Sequence, residues 1–240
     1  YINGYILCQN LYLGLQYLSL RELLLEPNEA QYLLDDVAIN CCQTLTTLKV
    51  INCSKRPYPI LHVGVFINLK LLVISPQHLS EDVVELLSET KLRDLWIVQN
   101  KYTEQCWPVS GKTWRECRNR SPMLRIHLVV TGRVDTQVLL CQMCVNLKTL
   151  IIRELISTAT LLVIVTTAES LTRFVVRKNA IIKRFDWKRQ TQWSDGYYLW
   201  LKTNSRSYEK TFEEISKIFG KKWLPLTDEE FKHISPDTTF

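Results

Sequence analysis

The eight cysteines are the residues with the most evident capacity for chemistry in this 240-residue chain. Cys141 and Cys144 are separated by two residues, a spacing that zinc ligands use. A second such pair is missing from the sequence, and Cys41 and Cys42 are adjacent. One interpretation is therefore a structural zinc site, and the other is a set of buried free thiols that pack as small apolar side chains. We favour free thiols with no metal and no cofactor, which implies a reducing compartment, cytoplasmic or nuclear.

Motifs for catalysis are sparse. The four histidines, His62, His78, His127 and His233, stand in unrelated contexts, and neither His-Glu-x-x-His nor Gly-x-Ser-x-Gly occurs. The tripeptide GKT at 111–113 follows CWPVS, so it lacks the leading glycine of a phosphate-binding loop and is better interpreted as a turn before a helix. We expect no catalytic site in this chain. No apolar run approaches the ~18 residues that a membrane-spanning helix needs.

A recurring hexamer, L-x-x-L-x-L, indicates the elements that would position any functional side chains. It occurs as LQYLSL (15–20), LTTLKV (45–50), LKLLVI (69–74), LRDLWI (92–97), MLRIHL (123–128), LKTLII (147–152) and LTRFVV (171–176). The starts are 30, 24, 23, 31, 24 and 24 residues apart. This period and this core are typical of leucine-rich repeats. The sequence therefore predicts an α/β solenoid of about seven irregular strand–helix repeats over residues 1–180, followed by an aromatic-rich C-terminal cap over 181–240.

Helices are predicted between the strands. In residues 80–89, SEDVVELLSE, a serine precedes a run of apolar residues at helical spacing, so Ser80 is the expected N-cap. Similar patterns cover residues 29–42, 114–120 and 134–144. A strand followed by a helix, repeated, gives a solenoid whose strands line a concave face.

The ninth place of each repeat, counted from the first residue of its hexamer, predicts a structural ladder. It holds Cys53, Asn100 and Asn179, with Thr131 in the MLRIHL repeat. In this architecture a small polar group at that place bonds to the exposed backbone of the turn after the strand. The remaining repeats carry Leu23, Gln77 and Leu155, so the predicted ladder is incomplete.

The concave face is predicted to be basic. Places two, three, five and seven should border or line it, because strand side chains alternate between two faces. Those places hold one acidic residue, Asp94, and nine basic residues: Arg21, Lys49, Lys70, Arg93, Arg125, Lys148, Arg153, Arg173 and Arg177. Their local excess of positive charge exceeds the net charge of the whole chain, +6. A solvated strand face of mixed charge is one interpretation, and a groove for an acidic or phosphorylated protein segment is the other.

A more specific hypothesis is that residues from successive repeats form one connected binding surface, which we call the track. Arginine suits the forked recognition of carboxylate or phosphate, and an aromatic residue among the arginines would serve as an anchor. The track is predicted to contain Arg93, Trp96, Arg125, Lys148, Arg153, Arg173 and Arg177. We expect the side chains of Arg125 and Arg153 to point to solvent.

The segment KRFDWKRQTQWSDGYYLWLK (183–202) mixes basic and aromatic residues, which is a composition that single-stranded nucleic acids bind. The alternative, which we favour, is that its aromatic side chains cover the open end of the solenoid. A helix over 207–219 would place Phe212, Ile215, Ile218 and Phe219 on one stripe and dock against that end.

The repeats and two further segments resemble the leucine-rich halves of F-box proteins. Cysteine before the strand, as in Cys42 and Cys144, and Cys or Asn after it carry this resemblance. SGKTWRECRNRSPMLRIHL (110–128) looks like the Trp-bearing helix, Ser-Pro turn and strand of one irregular subgroup, and YEKTFEEISKIFGKKWLP (208–225) resembles its ending. That subgroup includes the F-box receptors for cryptochromes and some F-box only proteins.

This resemblance implies a non-catalytic substrate receptor of a cullin-RING ubiquitin ligase, joined to the ligase by Skp1 and cullin through an F-box upstream of Tyr1. The protein substrate would bind the concave basic face. The alternatives are a protein-interaction scaffold without a ubiquitin link, and a nucleic-acid-binding module that uses the basic groove. The substrate's identity does not follow from the sequence.

Overall fold

The computed structural model describes residues 14–24, 26–52, 54, 56–100, 103, 109–131 and 146–234. The chain is α/β and forms two compact units. One unit contains Tyr1–Ile97 and Tyr102–Leu124, and the other contains Val98–Lys101 and Arg125–Phe240. Within the described ranges, no helix has both the length and the apolar character needed to cross a membrane. The boundary that the sequence predicts at residue 180 stays a prediction.

The first unit contains four parallel strands in chain order. They are β1 (Tyr17–Leu23), β2 (Thr47–Asn52), β3 (Leu71–Ile74) and β4 (Asp94–Val98), and each pairs with the next. The connections carry the helices α1 (Pro27–Cys41), α2 (Glu81–Ser88) and α3 (Gly111–Arg120), and the short 3₁₀ helices Leu61–Val65 and Pro76–His78.

The second unit also has parallel strands. Its main strands are β5 (Arg125–Val130), β6 (Leu147–Ile152) and β8 (Arg173–Val176), and a small second sheet pairs β7 (Ile156–Ser157) with β9 (Ile181–Ile182). Its helices are α4 (Thr158–Thr167), α5 (Asp195–Asn204), α6 (Tyr208–Phe219) and α7 (Asp228–Lys232), with a 3₁₀ helix at Lys178–Ala180.

The strands pair at the places that the hexamer pattern aligns. Place three of each hexamer faces place three of the next along the first unit, as in Tyr17 with Thr47 and Leu71 with Asp94. In the second unit Thr149 pairs in the same way with Arg173. Places one, four and six point inward and are buried almost throughout these segments. Hydrophobic spacing alone therefore predicted the register of these neighbouring strands.

The register predicted for the MLRIHL segment is wrong. His127, which the pattern put at place five, pairs with Thr149 at place three, and the pairing is irregular between Ile126 and His127. Met123, the predicted inward start of the hexamer, is 81% exposed, while Leu124 is buried. The physical reason is that two residues separate inward positions in a strand, so a shift of two preserves the apolar face.

Most of the predicted helices form close to their predicted bounds. The Ser80 hydroxyl accepts a hydrogen bond from Val83 N at 3.3 Å at the start of α2, as predicted. Ser110 caps α3 in the same way through Thr113 N, so GKT begins a helix. The helix predicted over 134–144 lies outside the described residues.

The helix α4 is buried along most of its length, which explains why its sequence is apolar on every side. The helices α5 and α6 pack against it. A helix covered by other helices as well as by a sheet has no solvent face to fill with polar residues. Its apolar run of LLVIV therefore marks an interior helix.

Candidate interaction surface

The centre of the predicted concave face is more buried than expected. The side chains at place five include Lys49, Val73, Trp96, Ile151 and Val175, and all are buried. Trp96 is 5% exposed, so the expectation of an open aromatic anchor is wrong in this structure. Large apolar side chains on adjacent strands cover one another, because strands lie ~4.8 Å apart.

The exposed basic residues in the second unit stand at the beginnings of its strands. Arg125 is the first residue of β5, Lys148 the second of β6 and Arg173 the first of β8. Arg125 and Arg173 are exposed and Lys148 is half-buried. We call these three residues the basic edge.

Backbone hydrogen bonds hold the basic edge in place. Ile126 N donates to Asn146 O at 3.2 Å, and Thr172 N donates to Lys148 O at 3.0 Å. Each cation is therefore next to a residue that is fixed to the neighbouring strand. Lys221 Nζ donates to Thr172 O at 3.4 Å, which adds a fourth positive charge beside Arg173. Three adjacent strands thus present a cluster of cations that can bind a carboxylate or phosphate.

Two of the predicted cations of the first unit lie in a comparable position. Lys70 and Arg93 are exposed, and Arg93 N donates to Lys70 O at 2.9 Å just before β4 begins. Lys49, in contrast, is buried above the ring of Tyr17, with its Nζ 5.3 Å from the ring centroid. A hydrogen bond from Lys49 lowers the pKa of Tyr17. Lys49 is therefore already engaged within the fold.

The prediction that Arg153 points to solvent is wrong. Its Nη2 donates to Ile234 O at 3.0 Å, and its guanidinium carbon lies 5.7 Å from the ring centroid of Phe231. Burial lowers the pKa of the Arg153 guanidinium. The C-terminal segment that covers Arg153 is 81 residues away in sequence. Strand alternation could not indicate this contact.

Arg177 and Asn179 are covered by the same segment. Arg177 Nε lies 3.7 Å from Asp228 Oδ1, and Asn179 Nδ2 donates to Asp228 Oδ2 at 2.6 Å. The ladder role predicted for Asn179 is therefore wrong, because its amide bonds to a side chain of α7 instead of to the turn. Of the other predicted ladder residues, Asn100 is half-buried and Cys53 lies outside the described residues.

Gln77 and Thr131 also occupy place nine, and the side chain of each bonds to a backbone carbonyl. Gln77 is 0% exposed; its Nε2 donates to Ser54 O at 2.9 Å, and Thr103 Oγ1 donates to its Oε1 at 3.0 Å. Thr131 Oγ1 donates to Gln99 O at 2.8 Å. Because Gln77 occupies place nine, its position in the repeat could have predicted a side chain that bonds to the backbone. It was not counted among the predicted residues because its side chain is longer than that of Asn, Cys or Thr.

The aromatic residues of the C-terminal segment bond to α4 and to one another. Trp187 Nε1 donates to Thr160 Oγ1 at 3.0 Å, and the hydroxyls of Tyr197 and Thr166 are 2.7 Å apart. The rings of Trp187, Trp193, Tyr197 and Trp200 follow one another with centroids 5.3–5.7 Å apart. In α6, Ile215 is buried as predicted, whereas Ile218 is exposed.

The described cysteines do not form a metal site. Cys41 and Cys117 are buried, Cys42 is half-buried, and none of these three described cysteines takes part in a disulfide. Burial raises the pKa of the Cys117 thiol to about 11. Within the described ranges no cluster of His, Cys, Asp and Glu could hold a metal ion. Cys8, Cys53, Cys106, Cys141 and Cys144 lie outside the described residues.

Two of the histidines have local structural roles. His78 is buried, its Nδ1 lies 3.0 Å from Tyr58 O, and burial lowers its pKa to about 4. His62 Nε2 lies 2.7 Å from Asp35 Oδ1.

No family model matches the sequence, and no curated protein is similar enough to it to count as a relative.

Proposed function

We propose that the chain is the leucine-rich-repeat part of an F-box protein and that it recognises a protein substrate of a Skp1–cullin–F-box ubiquitin ligase. The fold part of this proposal rests on the strands that pair at equivalent places of the hexamer. Their inward leucines are buried, and helices fill several of the connections. The ligase part rests on the resemblance of residues 110–128 and 208–225 to one F-box subgroup.

The basic edge is the proposed recognition surface, and its position on three adjacent strands is the observation that carries the proposal. The exposed guanidinium groups of Arg125 and Arg173 can each form a bidentate pair of hydrogen bonds with an oxyanion. Lys148 adds a flexible positive charge on the strand between them. A segment rich in carboxylate or phosphate is therefore the favoured partner. Arg153 and Arg177 are left out of this surface because the C-terminal segment covers them.

The test uses the complete protein, purified through an affinity tag from cells. Skp1 and cullin are expected to copurify in near-stoichiometric amounts, together with a substrate. Arg125→Glu combined with Arg173→Glu should weaken substrate binding by about a hundredfold or more, since ~1.4 kcal/mol lost at each position is tenfold. Skp1 binding should not change.

Arg118→Glu combined with Lys202→Glu is the matched control. Both residues are exposed on helices, and the double substitution makes the same change in charge. Absence of Skp1 from folded, complete protein would favour a scaffold outside the ligase. Copurified nucleic acid whose binding falls steeply with salt would favour a nucleic-acid-binding module.

A further inference from the structure

The C-terminal segment occupies a second basic surface in the second unit. Residues 227–234, which we call the strap, contain three carboxylates and one lysine, a formal net charge of −2 with histidine neutral. They cover Arg153, Arg177 and Asn179, which follow the strands β6 and β8. We call these three residues the covered surface.

The strap is fixed just before it begins. Trp223 Nε1 donates to Phe174 O at 2.7 Å, and the two rings stack with centroids 5.5 Å apart. Leu226 then pairs with the end of β8, because Leu226 N donates to Val176 O at 2.9 Å and Lys178 N donates to Leu226 O at 2.7 Å. This anchor is independent of the strap, so the strap can leave without releasing the chain that precedes it.

The contacts of the strap come from one face of a short helix. Asp228 and Phe231 are three residues apart in α7 and therefore lie on the same side. Asp228 bonds to Asn179 and faces Arg177, while Phe231 is buried beside the Arg153 guanidinium. Thr227 caps the helix by accepting a hydrogen bond from Glu230 N at 3.3 Å. The pattern of recognition is an acidic residue followed three places later by an aromatic one.

Within the part of the chain that the structure describes, the closed arrangement leaves two donors and one acceptor without a hydrogen bond. Among the described residues, the buried Nε atoms of Arg153 and Arg177 have no hydrogen-bond partner, and neither has Asp228 Oδ1. The Arg177 Nε to Asp228 Oδ1 distance of 3.7 Å is longer than a hydrogen bond. A five-residue helix is also too short to be stable when it is not docked. The strap is therefore held by contacts that another carboxylate could improve.

We propose that the strap is an internal ligand, and that an external acidic helix with the same Asp-x-x-aromatic pattern displaces it from the covered surface. This inference rests on the proposed function only in taking that helix to belong to a protein substrate. The strap would regulate access: a partner must compete with a tethered segment at an effective concentration on the order of 1 mM. Partners that lack the pattern would meet a closed surface.

The experiment measures binding of a synthetic acetylated peptide with the sequence of residues 227–234 to two forms of the protein. One is a shortened chain that ends at Leu226, and the other is the uncut chain. We expect the shortened chain to bind the peptide. In the uncut chain the tethered strap competes with the peptide. The peptide's apparent dissociation constant should therefore rise by a factor of one plus the strap's effective concentration divided by the peptide's own dissociation constant, about tenfold if that constant is ~0.1 mM. Titration calorimetry gives both constants.

Peptide variants give the specificity. The Asp228→Asn and Phe231→Ala peptides should bind the shortened chain at least about tenfold more weakly than the unchanged peptide, a loss of ~1.4 kcal/mol. The Glu229→Gln peptide removes the same charge as Asp228→Asn, but from an exposed carboxylate whose partner is Lys232, and it should bind as the unchanged peptide does. Equal binding of all four peptides, or no binding to folded shortened chain, would overturn the inference.

If the shortened chain does not fold, the uncut chain provides a second test. Asp228→Asn in the uncut chain weakens the closed state, so the unchanged peptide should bind it more tightly than it binds the uncut Glu229→Gln variant. Identical affinities would show that the strap is only a structural closure. Failure of the proposed function gives a different result, since Skp1 would then be absent while the peptide still binds.

Discussion

Replacing Leu150 with Ala tests the register of the strands. Leu150 is 0% exposed, and its neighbours across the sheet are Leu128 on β5 and Phe174 on β8. The substitution removes three buried carbon atoms, for a transfer loss of about 2.4 kcal/mol at ~0.8 kcal/mol each. A cavity that does not collapse brings the total towards ~5 kcal/mol. We therefore expect the free energy of unfolding to fall by ~2–5 kcal/mol.

Urea unfolding followed by tryptophan fluorescence measures this change, with the loss calculated from the midpoint at an unchanged slope. Lys148→Ala is the control, because Lys148 lies on the same strand but partly faces solvent. It should change stability by less than ~0.5 kcal/mol. Similar midpoints for the two variants would mean that the inward and outward faces of β6 have been assigned wrongly.

Four further predictions concern two buried polar side chains and the cysteines. Gln77→Leu should lower stability by ~1–3 kcal/mol in urea unfolding, because Ser54 O and Thr103 Oγ1 each lose their hydrogen bond to the buried Gln77 side chain; a neutral effect would show that these two bonds do not stabilise the fold. His78 has a pKa of about 4 when folded against 6.5 as its ordinary value, so the unfolded chain binds the proton first. Stability should therefore fall as pH drops from 6.5 to 4, by up to ~1.4 kcal/mol per pH unit, and His78→Gln should lose this dependence. Cys117 should resist a thiol reagent at pH 8 until the protein unfolds. Metal analysis should find well under one zinc per chain, with no change of the melting temperature in chelator; stoichiometric zinc would restore the site at Cys141 and Cys144.

The spacing of leucines predicted much of the strand arrangement, since a buried strand face needs apolar side chains at alternate positions. Pairing of Thr47 with Leu71 and of Thr149 with Arg173 follows from it. The same reasoning failed at Met123, because a shift of two residues leaves the alternation intact. It also failed to show that place five is buried at Trp96, since burial depends on side chains of neighbouring strands.

The candidate site was predicted only in part. The positions of Arg125 and Arg173 at strand beginnings come from the hexamer pattern, and both side chains are exposed. Nothing in the repeats indicated that Asp228 and Phe231 would cover Arg177 and Arg153. The sequence predicted a C-terminal cap over residues 181–240, but not which cations the acidic run after Pro225 would contact.

By itself, the sequence determined the α/β class, most strand positions, the capped start of α2, and the basic character of the strand beginnings. These properties depend on residues within a few positions of one another, where periodicity and capping act. The tertiary structure decided which of the cations remain exposed, that Gln77 is buried and bonds to the backbone of Ser54, and that α4 is an interior helix. Those outcomes depend on contacts between residues far apart in sequence, such as the 81 residues between Arg153 and Ile234, and local pattern carries no information about them.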